Sequence, residues 1–158
     1  MKGDANVIEL LNEVLTAELT AINQYFIHYK MLENWGYGKL AVVKRKESIE
    51  EMTHADKIIE RILYLDGIPN MQRLSPVKVG ENPVEMHEVD LLVELDAVER
   101  LNRGIAVATQ AADNGTRALL ESILVEEEEA IDWLEAQLGM IKDMGRENYL
   151  AQMLTVDH

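Results

Sequence analysis

The sequence predicts an all-α protein, a bundle of four long helices with one long crossover and a short fifth helix at the C-terminal end. Proline occurs only at Pro69, Pro76 and Pro83, so long segments without helix breakers lie on both sides of one middle stretch. Apolar residues recur at helical spacing in those segments. Two connections are short and predict antiparallel pairs, while the long middle one can carry the chain the length of a bundle.

The first two helices have recognisable ends. The first is predicted over about residues 5–35, with Asp4 or Asn6 as its N-cap. The second is predicted over about residues 39–65, because Gly67 follows its end and a proline lies just beyond. The two helices are joined by a short glycine-containing turn, which predicts a hairpin.

The second half of the chain begins with a helix start signal. Asn82 is a suitable N-cap, and Pro83 suits the first helical position. The remaining helices are predicted over about residues 83–113, 116–144 and 146–154. Together the five helices make residues 1–158 a single domain.

Charge and composition narrow the functional class. The 158 residues carry a formal net charge of -14 and no cysteine. The net negative charge favours the binding of cations and argues against nucleic acid or an anionic membrane as a partner. Without cysteine, disulfides, thiolate metal sites and cysteine nucleophiles are excluded. No apolar run approaches the roughly 18 residues of a membrane span, and no signal-type run opens the chain, so we expect a cytoplasmic protein.

The two helix pairs carry the same acidic pattern. Glu18 precedes Glu51 by 33 positions, and His54 follows Glu51 by three. Glu94 precedes Glu127 by the same 33 positions. This repeated register selects one acid from the run at positions 126–129 and predicts that equivalent faces of the two pairs meet inside the bundle.

Helix faces indicate which acids point inward. Residues three, four and seven positions from Glu127 are all apolar, and Glu18 has the same surroundings. Glu126, Glu128 and Glu129 have more polar neighbours and are expected to face solvent. We therefore expect Glu127 and Glu18 to be buried in the bundle.

Buried carboxylates need compensation, because an isolated buried charge costs several kcal/mol. No lysine or arginine lies on the helical stripes of Glu18, Glu94 or Glu127. Four inward carboxylates and an imidazole suit a pair of divalent metal ions, with iron or manganese favoured by the oxygen-rich set. A single helical Glu-x-x-His often arises by chance on a surface, and it is the paired register that favours a metal site.

Four segments carry a resemblance to a known family. They are MKGD at the start, LTAELTAINQYFIHYKMLENWG, ESIEEMTHADKIIERILYLDGIPN and AIDWLEAQL. The chain closely resembles the bacterioferritins, the haem-binding ferritin family, over essentially its whole length. The resemblance implies a ferritin-like fold, a homo-oligomeric shell of twenty-four subunits and storage of iron as a ferric mineral.

The same resemblance implies roles for the acidic residues. Glu18, Glu51 and His54 would hold one iron of a dinuclear ferroxidase centre. Glu94 would be a terminal ligand of the second iron, with Glu51 and Glu127 bridging the two.

The family also binds b-type haem at a two-fold subunit interface, through one methionine from each subunit. Met52 is the matching position, although a helical methionine is otherwise a packing residue. Tyr25 matches a position near the iron site, and it is equally well explained as a core aromatic.

The chain departs from the family pattern at Ala130, where the resemblance implies a histidine ligand for the second iron. We therefore expect the second position to bind more weakly and paired-iron oxidation to be slowed. Either the alanine is natural, in a subunit that assembles with a histidine-bearing partner, or it was engineered. Lys46 stands where some relatives carry an inner-surface histidine.

Two functions follow from these observations. The first is an iron-storage subunit that oxidises Fe(II) with dioxygen or peroxide, served by a ferredoxin-type reductant when iron is released. The alternative is a non-catalytic haem-binding structural subunit of a mixed shell. A rubrerythrin-like peroxidase is disfavoured by the absence of cysteine, and a manganese catalase relative is a further alternative.

Other residues carry weaker expectations. His28 and His87 are expected on helix surfaces, and His158 at a disordered end. Trp35 and Trp133 are expected to pack at bundle ends or between subunits.

Overall fold

Five α-helices make up the structure, a computed structural model that describes residues 1–155. They are α1 (Ala5–Trp35), α2 (Gly38–Tyr64), α3 (Pro83–Gln110), α4 (Asn114–Met144) and α5 (Arg146–Ala151). The predicted all-α class, with four long helices, one long connection and a short fifth helix, is confirmed. His158 lies outside the described residues. No helix in the described part of the chain is both long and apolar enough to span a membrane.

Side-chain caps fix the starts of α1 and α3. Asp4 caps α1, and its Oδ1 accepts hydrogen bonds from the backbone N–H groups of Asn6 at 2.8 Å and Val7 at 3.2 Å. Asn82 caps α3 by accepting from the backbone N–H of Glu85 at 2.9 Å. Both starts satisfy backbone donors that the helix itself leaves without partners.

The connection between α3 and α4 differs from the sequence prediction. α3 ends at Gln110, three residues before the predicted end, because Ala112 adopts a left-handed φ of 55°. α4 begins at Asn114, two residues early. Asp113 is its N-cap and accepts from the backbone N–H of Thr116 at 3.0 Å. The chain therefore turns within three residues.

Two other helix ends also differ from expectation. Behind α2, Asp66 adopts the left-handed conformation with φ of 60°, and Gly67 does not. Glycine is needed at position 67 for space, because a Cβ there would lie 2.8 Å from Ile8 Cγ2. α5 ends at Ala151, three residues before the predicted end.

Cross-helix contacts define the topology. Gln24 on α1 bonds Asp90 on α3 at 2.8 Å, while Leu10 on α1 packs against Gly104 on α3. Residue numbers rise along α3 as they fall along α1, so α1 and α3 are antiparallel. Because α1 and α2 form an antiparallel hairpin, α2 and α3 are parallel. Gly104 permits the close approach, because a Cβ there would lie 2.9 Å from Leu10 Cδ1.

Two apolar clusters fill the bundle, with a polar layer between them. The larger cluster contains Val7, Leu10, Leu11, Val14, Leu15, Ala55, Ile58, Ile62, Leu65, Leu101, Leu120 and Ile123. The smaller one contains Leu32, Leu40, Ala41, Met86 and Tyr149. Most of the predicted site residues lie between the two clusters, so apolar packing on both sides holds the polar layer in place.

The long crossover between α2 and α3 lies along α1. Side chains spaced four residues apart on α1 accept hydrogen bonds from crossover backbone N–H groups: Thr20 from Ser75 at 3.0 Å, Gln24 from Lys78 at 3.1 Å and His28 from Gly80 at 3.0 Å. The crossover has no helix or strand of its own, so α1 supplies the partners that its backbone needs.

Candidate metal centre

Each of the four long helices contributes one buried carboxylate to the polar layer. Glu18 is 2%, Glu51 3%, Glu94 0% and Glu127 1% exposed. The four acids of the repeated register, one from each long helix, therefore lie together inside the bundle, as predicted. Packing on the apolar stripe of each helix turns the acids inward.

The first group of potential ligands surrounds His54. One ligand atom each from Glu18, Glu51, His54 and Glu127 lie within 4.8 Å of one another. His54 Nδ1 is 3.1 Å from Glu127 Oε1, 3.5 Å from Glu18 Oε2 and 3.6 Å from Glu51 Oε1. Three carboxylates and one imidazole nitrogen therefore converge on a space of the size that a metal ion fills.

A second group lies beside the first and shares one residue with it. Ligand atoms of Glu47, Glu51 and Glu94 also lie within 4.8 Å of one another. Because Glu51 belongs to both groups, its carboxylate lies between two adjacent positions. This arrangement is suited to a pair of cations bridged by a carboxylate.

Several polar atoms of the centre have no hydrogen-bond partner. Within the described residues, Glu18 Oε2, Glu94 Oε2, His54 Nδ1 and both carboxylate oxygens of Glu127 are buried and unpartnered. No lysine or arginine in residues 1–155 forms an ion pair with the four acids. Leaving such groups unpaired is costly, so the centre is incomplete without added cations or protons.

The electrostatics of the centre reflect this lack of cations. Burial raises the pKa values of Glu18, Glu51 and Glu94 well above the ordinary range, and neighbouring carboxylates add to the effect. Burial also raises the pKa of Glu127 to about 7. For His54, burial favours the neutral ring, but Glu127 and Glu51 outweigh it and raise the pKa to about 9. The centre therefore attracts positive charge.

Glu126 orients the imidazole, which corrects the expectation that this acid points away from the site. Its side chain is 50% exposed, yet its carboxylate contacts Nε2 of His54. The contact fixes the ring and leaves Nδ1 facing the carboxylates. Carboxylates that hold a histidine in this way strengthen it as a metal ligand. Glu128 and Glu129 are exposed, as expected.

Tyr25 is both a core residue and a neighbour of the centre. It is 1% exposed, and its hydroxyl donates a hydrogen bond to Glu94 Oε1 at 2.5 Å. Burial raises the pKa of the tyrosine hydroxyl, so it stays protonated and acts as a donor. Tyr25 therefore fixes one oxygen of Glu94 and leaves the other free.

Ala130 is buried and contributes no donor atom. It lines a narrow gap together with Tyr25, Lys44 and Glu47, and with residues of the next turn of α4. The missing side chain thus leaves space on the second side of the centre.

A second buried polar cluster, which was not predicted from the sequence, lies one helical turn from the centre. His28 and His87 were expected on helix surfaces, but both are fully buried. They surround Asp90 and Lys44, which are also fully buried. Lys44 Nζ is 2.7 Å from Asp90 Oδ2 and 3.1 Å from His87 Nδ1, and His28 Nδ1 is 3.0 Å from Asp90 Oδ1. We call these four residues the lysine cluster.

Hydrogen bonds extend the lysine cluster towards α5. His87 Nε2 donates to the hydroxyl of Tyr149 at 2.9 Å, and that hydroxyl donates to Gln137 Oε1 at 2.7 Å. Burial opposes the charge of Asp90, but Lys44 together with His28 and Gln24 outweighs it and lowers the pKa of Asp90 to about 2. Burial and Lys44 together lower the pKa of His87 to about 3, so this ring is neutral.

The sequence contains a signal for only one member of the lysine cluster. Lys44 lies seven residues before Glu51 and therefore on the same helix stripe. Its charge gives no indication of burial, because lysine is rarely fully buried without a partner. Trp133 packs edge-on against the His87 ring, with centroids 5.5 Å apart, while Trp35 is 39% exposed at the end of α1.

Met52 lies outside the centre. Its side chain is 56% exposed, whereas that of its neighbour Glu51 is buried. Two further exposed apolar side chains, Ile49 on α2 and Phe26 on α1, also lie on the surface of this hairpin.

Comparison with known proteins identifies relatives along almost the whole chain. The family model for the ferritin-like domain matches residues 8–144 of this chain. The chain is 50% identical to a bacterioferritin of Streptomyces coelicolor over 154 residues, covering 98% of this chain and 92% of the relative. It is 49% identical to a bacterioferritin of Mycobacterium leprae over 155 residues, covering 98% of each. It is 45% identical to a bacterioferritin of Rhodobacter capsulatus over 149 residues, covering 94% of this chain and 92% of the relative.

Proposed function

The chain belongs to the bacterioferritin family of ferritin-like proteins, and on this basis we propose that it is an iron-storage subunit that oxidises Fe(II) at the buried centre. One observation carries the proposal. The four long helices bury four glutamates of the centre, and no lysine or arginine of residues 1–155 forms an ion pair with them: Glu18, Glu51, Glu94 and Glu127. Iron ions are the substrate that supplies the missing positive charge.

The residues divide into two iron positions. Glu18, Glu51 and His54 hold the first Fe(II), with Glu127 on its other side. Glu94 is a terminal ligand at the second position, where Glu51 and Glu127 bridge. Each Fe(II) gives up one electron. The two electrons, together with two protons, reduce one molecule of hydrogen peroxide to two waters. The same centre accepts dioxygen as oxidant, and the ferric product passes to the mineral store.

Ala130 makes this ferroxidase slow, because the second position lacks a nitrogen ligand. Rapid mixing of the metal-free shell with Fe(II) measures the fast oxidation phase. We expect Ala130→His to increase that phase several-fold, whereas Ala130→Leu, which fills the gap without a donor, leaves it unchanged or lower. Equal fast phases in wild type and Ala130→His would overturn the assignment of a weakened second position.

Haem binding at the Met52 surface is the second part of the proposal. Met52, Ile49 and Phe26 give α1 and α2 an exposed apolar surface with a thioether in it, which suits a b-type haem held between two copies at a two-fold interface. Met52 would hold the haem iron, and the haem would transfer electrons from a ferredoxin-type reductant for the release of stored iron. Met52→Leu is expected to abolish haem absorbance, whereas the exposed crossover variant Met71→Leu retains it. Retained haem in Met52→Leu would overturn the assignment.

An alternative function is favoured by Ala130 alone: a non-catalytic haem-binding subunit of a mixed shell. In either case the assembly is a shell of twenty-four cytoplasmic subunits. Mass spectrometry of intact native shells separates the two functions. A single chain type with a measurable fast oxidation phase supports the ferroxidase, and a second chain type in every shell supports the structural subunit.

A further inference from the structure

We infer that Glu47 is a ligand of the second metal position and takes the place that Ala130 leaves without a donor. The second position is then an oxygen-only site in which Glu47 joins Glu51 and Glu94, with Glu127 bridging from the first position. This inference rests on the proposed dinuclear centre and adds a residue that the repeated register does not include.

The geometry places the three carboxylates around one space. Their ligand atoms lie within 4.8 Å of one another. Glu94 is fully buried, and only its Oε1 is occupied, by the Tyr25 hydroxyl. Its Oε2 is buried without a hydrogen-bond partner. A cation between Glu47, Glu51 and Glu94 would satisfy that oxygen.

Glu47 reaches this space from the same helix as Glu51. It lies four residues before Glu51 on α2, so both side chains share one helix face. It also lines the narrow gap beside Ala130. Glu47 therefore borders the space that a longer side chain at position 130 would enter.

A structural role as the counter-ion of Lys44 does not account for Glu47. The Lys44 ammonium is bound by Asp90 at 2.7 Å and by His87 at 3.1 Å. No ion pair within residues 1–155 joins Glu47 to a lysine, arginine or histidine. Glu47 is half-buried and free to bind a cation.

The two positions then differ in chemistry. The first position includes the His54 nitrogen, whereas the second has only carboxylate oxygens. Oxygen-only sites suit hard cations such as Mn²⁺, and imidazole suits softer divalent ions such as Zn²⁺ and Co²⁺. The second position should therefore bind Mn²⁺ well, although it has no nitrogen ligand.

Binding of Mn²⁺ to the metal-free shell, without oxidant, tests the assignment. Calorimetry counts the ions per subunit, and electron paramagnetic resonance detects magnetic coupling between two adjacent ions. We expect two coupled Mn²⁺ ions per subunit in wild type. In Glu47→Gln the second ion should bind at least about ten-fold more weakly, and the coupled signal should be lost.

Two variants control for charge and folding. Glu129→Gln removes an exposed carboxylate next to Ala130 and should retain both ions. Glu47→Gln combined with Ala130→His should regain the second ion, because the histidine supplies a donor from α4. That recovery would also show that the Glu47 variant is folded.

Each other result has a defined meaning. Two coupled ions at unchanged affinity in Glu47→Gln would overturn the role of Glu47 and leave the proposed centre intact. Equal losses in Glu47→Gln and Glu129→Gln would overturn it in favour of a general charge effect, and a single ion in wild type would overturn it directly. If Glu18→Gln leaves all Mn²⁺ binding unchanged, the dinuclear centre itself is wrong.

Discussion

Asp90 and Glu94 lie one turn apart on α3, both fully buried, and their electrostatic environments are opposite. Lys44 lies 2.7 Å from Asp90 and, together with His28 and Gln24, lowers the pKa of Asp90 to about 2 against the effect of burial. Glu94 has no such partner, and burial raises its pKa well above the ordinary range. Depth of burial is the same for both. The difference comes from whether the protein supplies its own cation.

This contrast assigns different tasks to the two polar clusters. The lysine cluster is complete, because its charges and ring nitrogens are paired within the protein. The centre around Glu94 and Glu127 is incomplete and has a deficit of positive charge. A cluster whose charges are paired within the protein stabilises the arrangement of the helices, whereas a cluster of unpaired acids binds cations. Removing or adding charge in each cluster tests this distinction.

The largest effect is expected from Lys44→Met. Removing Lys44 leaves Asp90 buried without its cation, which should lower the free energy of unfolding by about 3–5 kcal/mol. Thermal unfolding followed by circular dichroism, at one protein concentration, measures the loss. Lys46→Met is the matched control, because Lys46 is exposed on the same helix and should change stability by at most about 0.5 kcal/mol.

A second variant separates charge from packing in that experiment. Asp90→Asn combined with Lys44→Met removes both charges and should recover part of the loss. Equal destabilisation by Lys44→Met and Lys46→Met would mean that the lysine cluster is not the stabilising element inferred here.

The second effect is a pH dependence of the metal-free protein. The pKa of Glu127 is about 7 in the fold against 4.5 ordinarily, so its contribution to stability is full below pH 4.5 and is lost as pH rises towards 7. Glu127→Gln should therefore be more stable than wild type at pH 8, by on the order of 3 kcal/mol, and equally stable near pH 4.5. The difference between the two unfolding curves across this range is the measurement.

Asp90 should show the opposite sign. Its pKa is lowered to about 2 from 3.8, so its contribution is present above pH 3.8 and is lost as pH falls towards 2. Adding Mn²⁺ should cancel the advantage of Glu127→Gln at pH 8, because the ion stabilises wild type alone. A difference between Glu127→Gln and wild type that does not change with pH would contradict the assignment.

The smallest effect concerns the orientation of His54. Glu126→Gln weakens the contact that holds His54 Nε2 and should lower Mn²⁺ affinity at the first position by roughly 10- to 100-fold. Glu128→Gln is the control, since Glu128 is exposed on the same helix and lies outside the centre. Calorimetric titration of the metal-free shell compares them, and equal affinities in the two variants would exclude an orienting role for Glu126.

The features that follow from helical periodicity were predictable from the sequence. The inward faces of Glu18 and Glu127 depend on local spacing, and the structure shows both. The predicted cap at Asn82 is also present, and of the two candidates for the first helix the structure shows Asp4. The end of α3 was placed too late because the left-handed conformation of Ala112 has no glycine signal.

The lysine cluster was not predictable in the same way. Its residues come from α1, α2 and α3, and the pairing of Lys44 with Asp90 spans 46 positions. Charge indicates a surface position unless the partner is known, and the partner is known only once the helices are assembled. The role of Glu126 was missed for a similar reason, because it depends on how its side chain crosses to α2.

The crossover segment has a consequence for exchange and folding order. Its amides at Ser75, Lys78 and Gly80 are held by side chains of α1, more than 50 positions earlier in the chain. These amides should exchange with deuterated water as slowly as helical ones, although the segment is irregular. They gain that protection only after α1 has formed, so in a refolding time course their labelling should lag behind that of the helix that holds them.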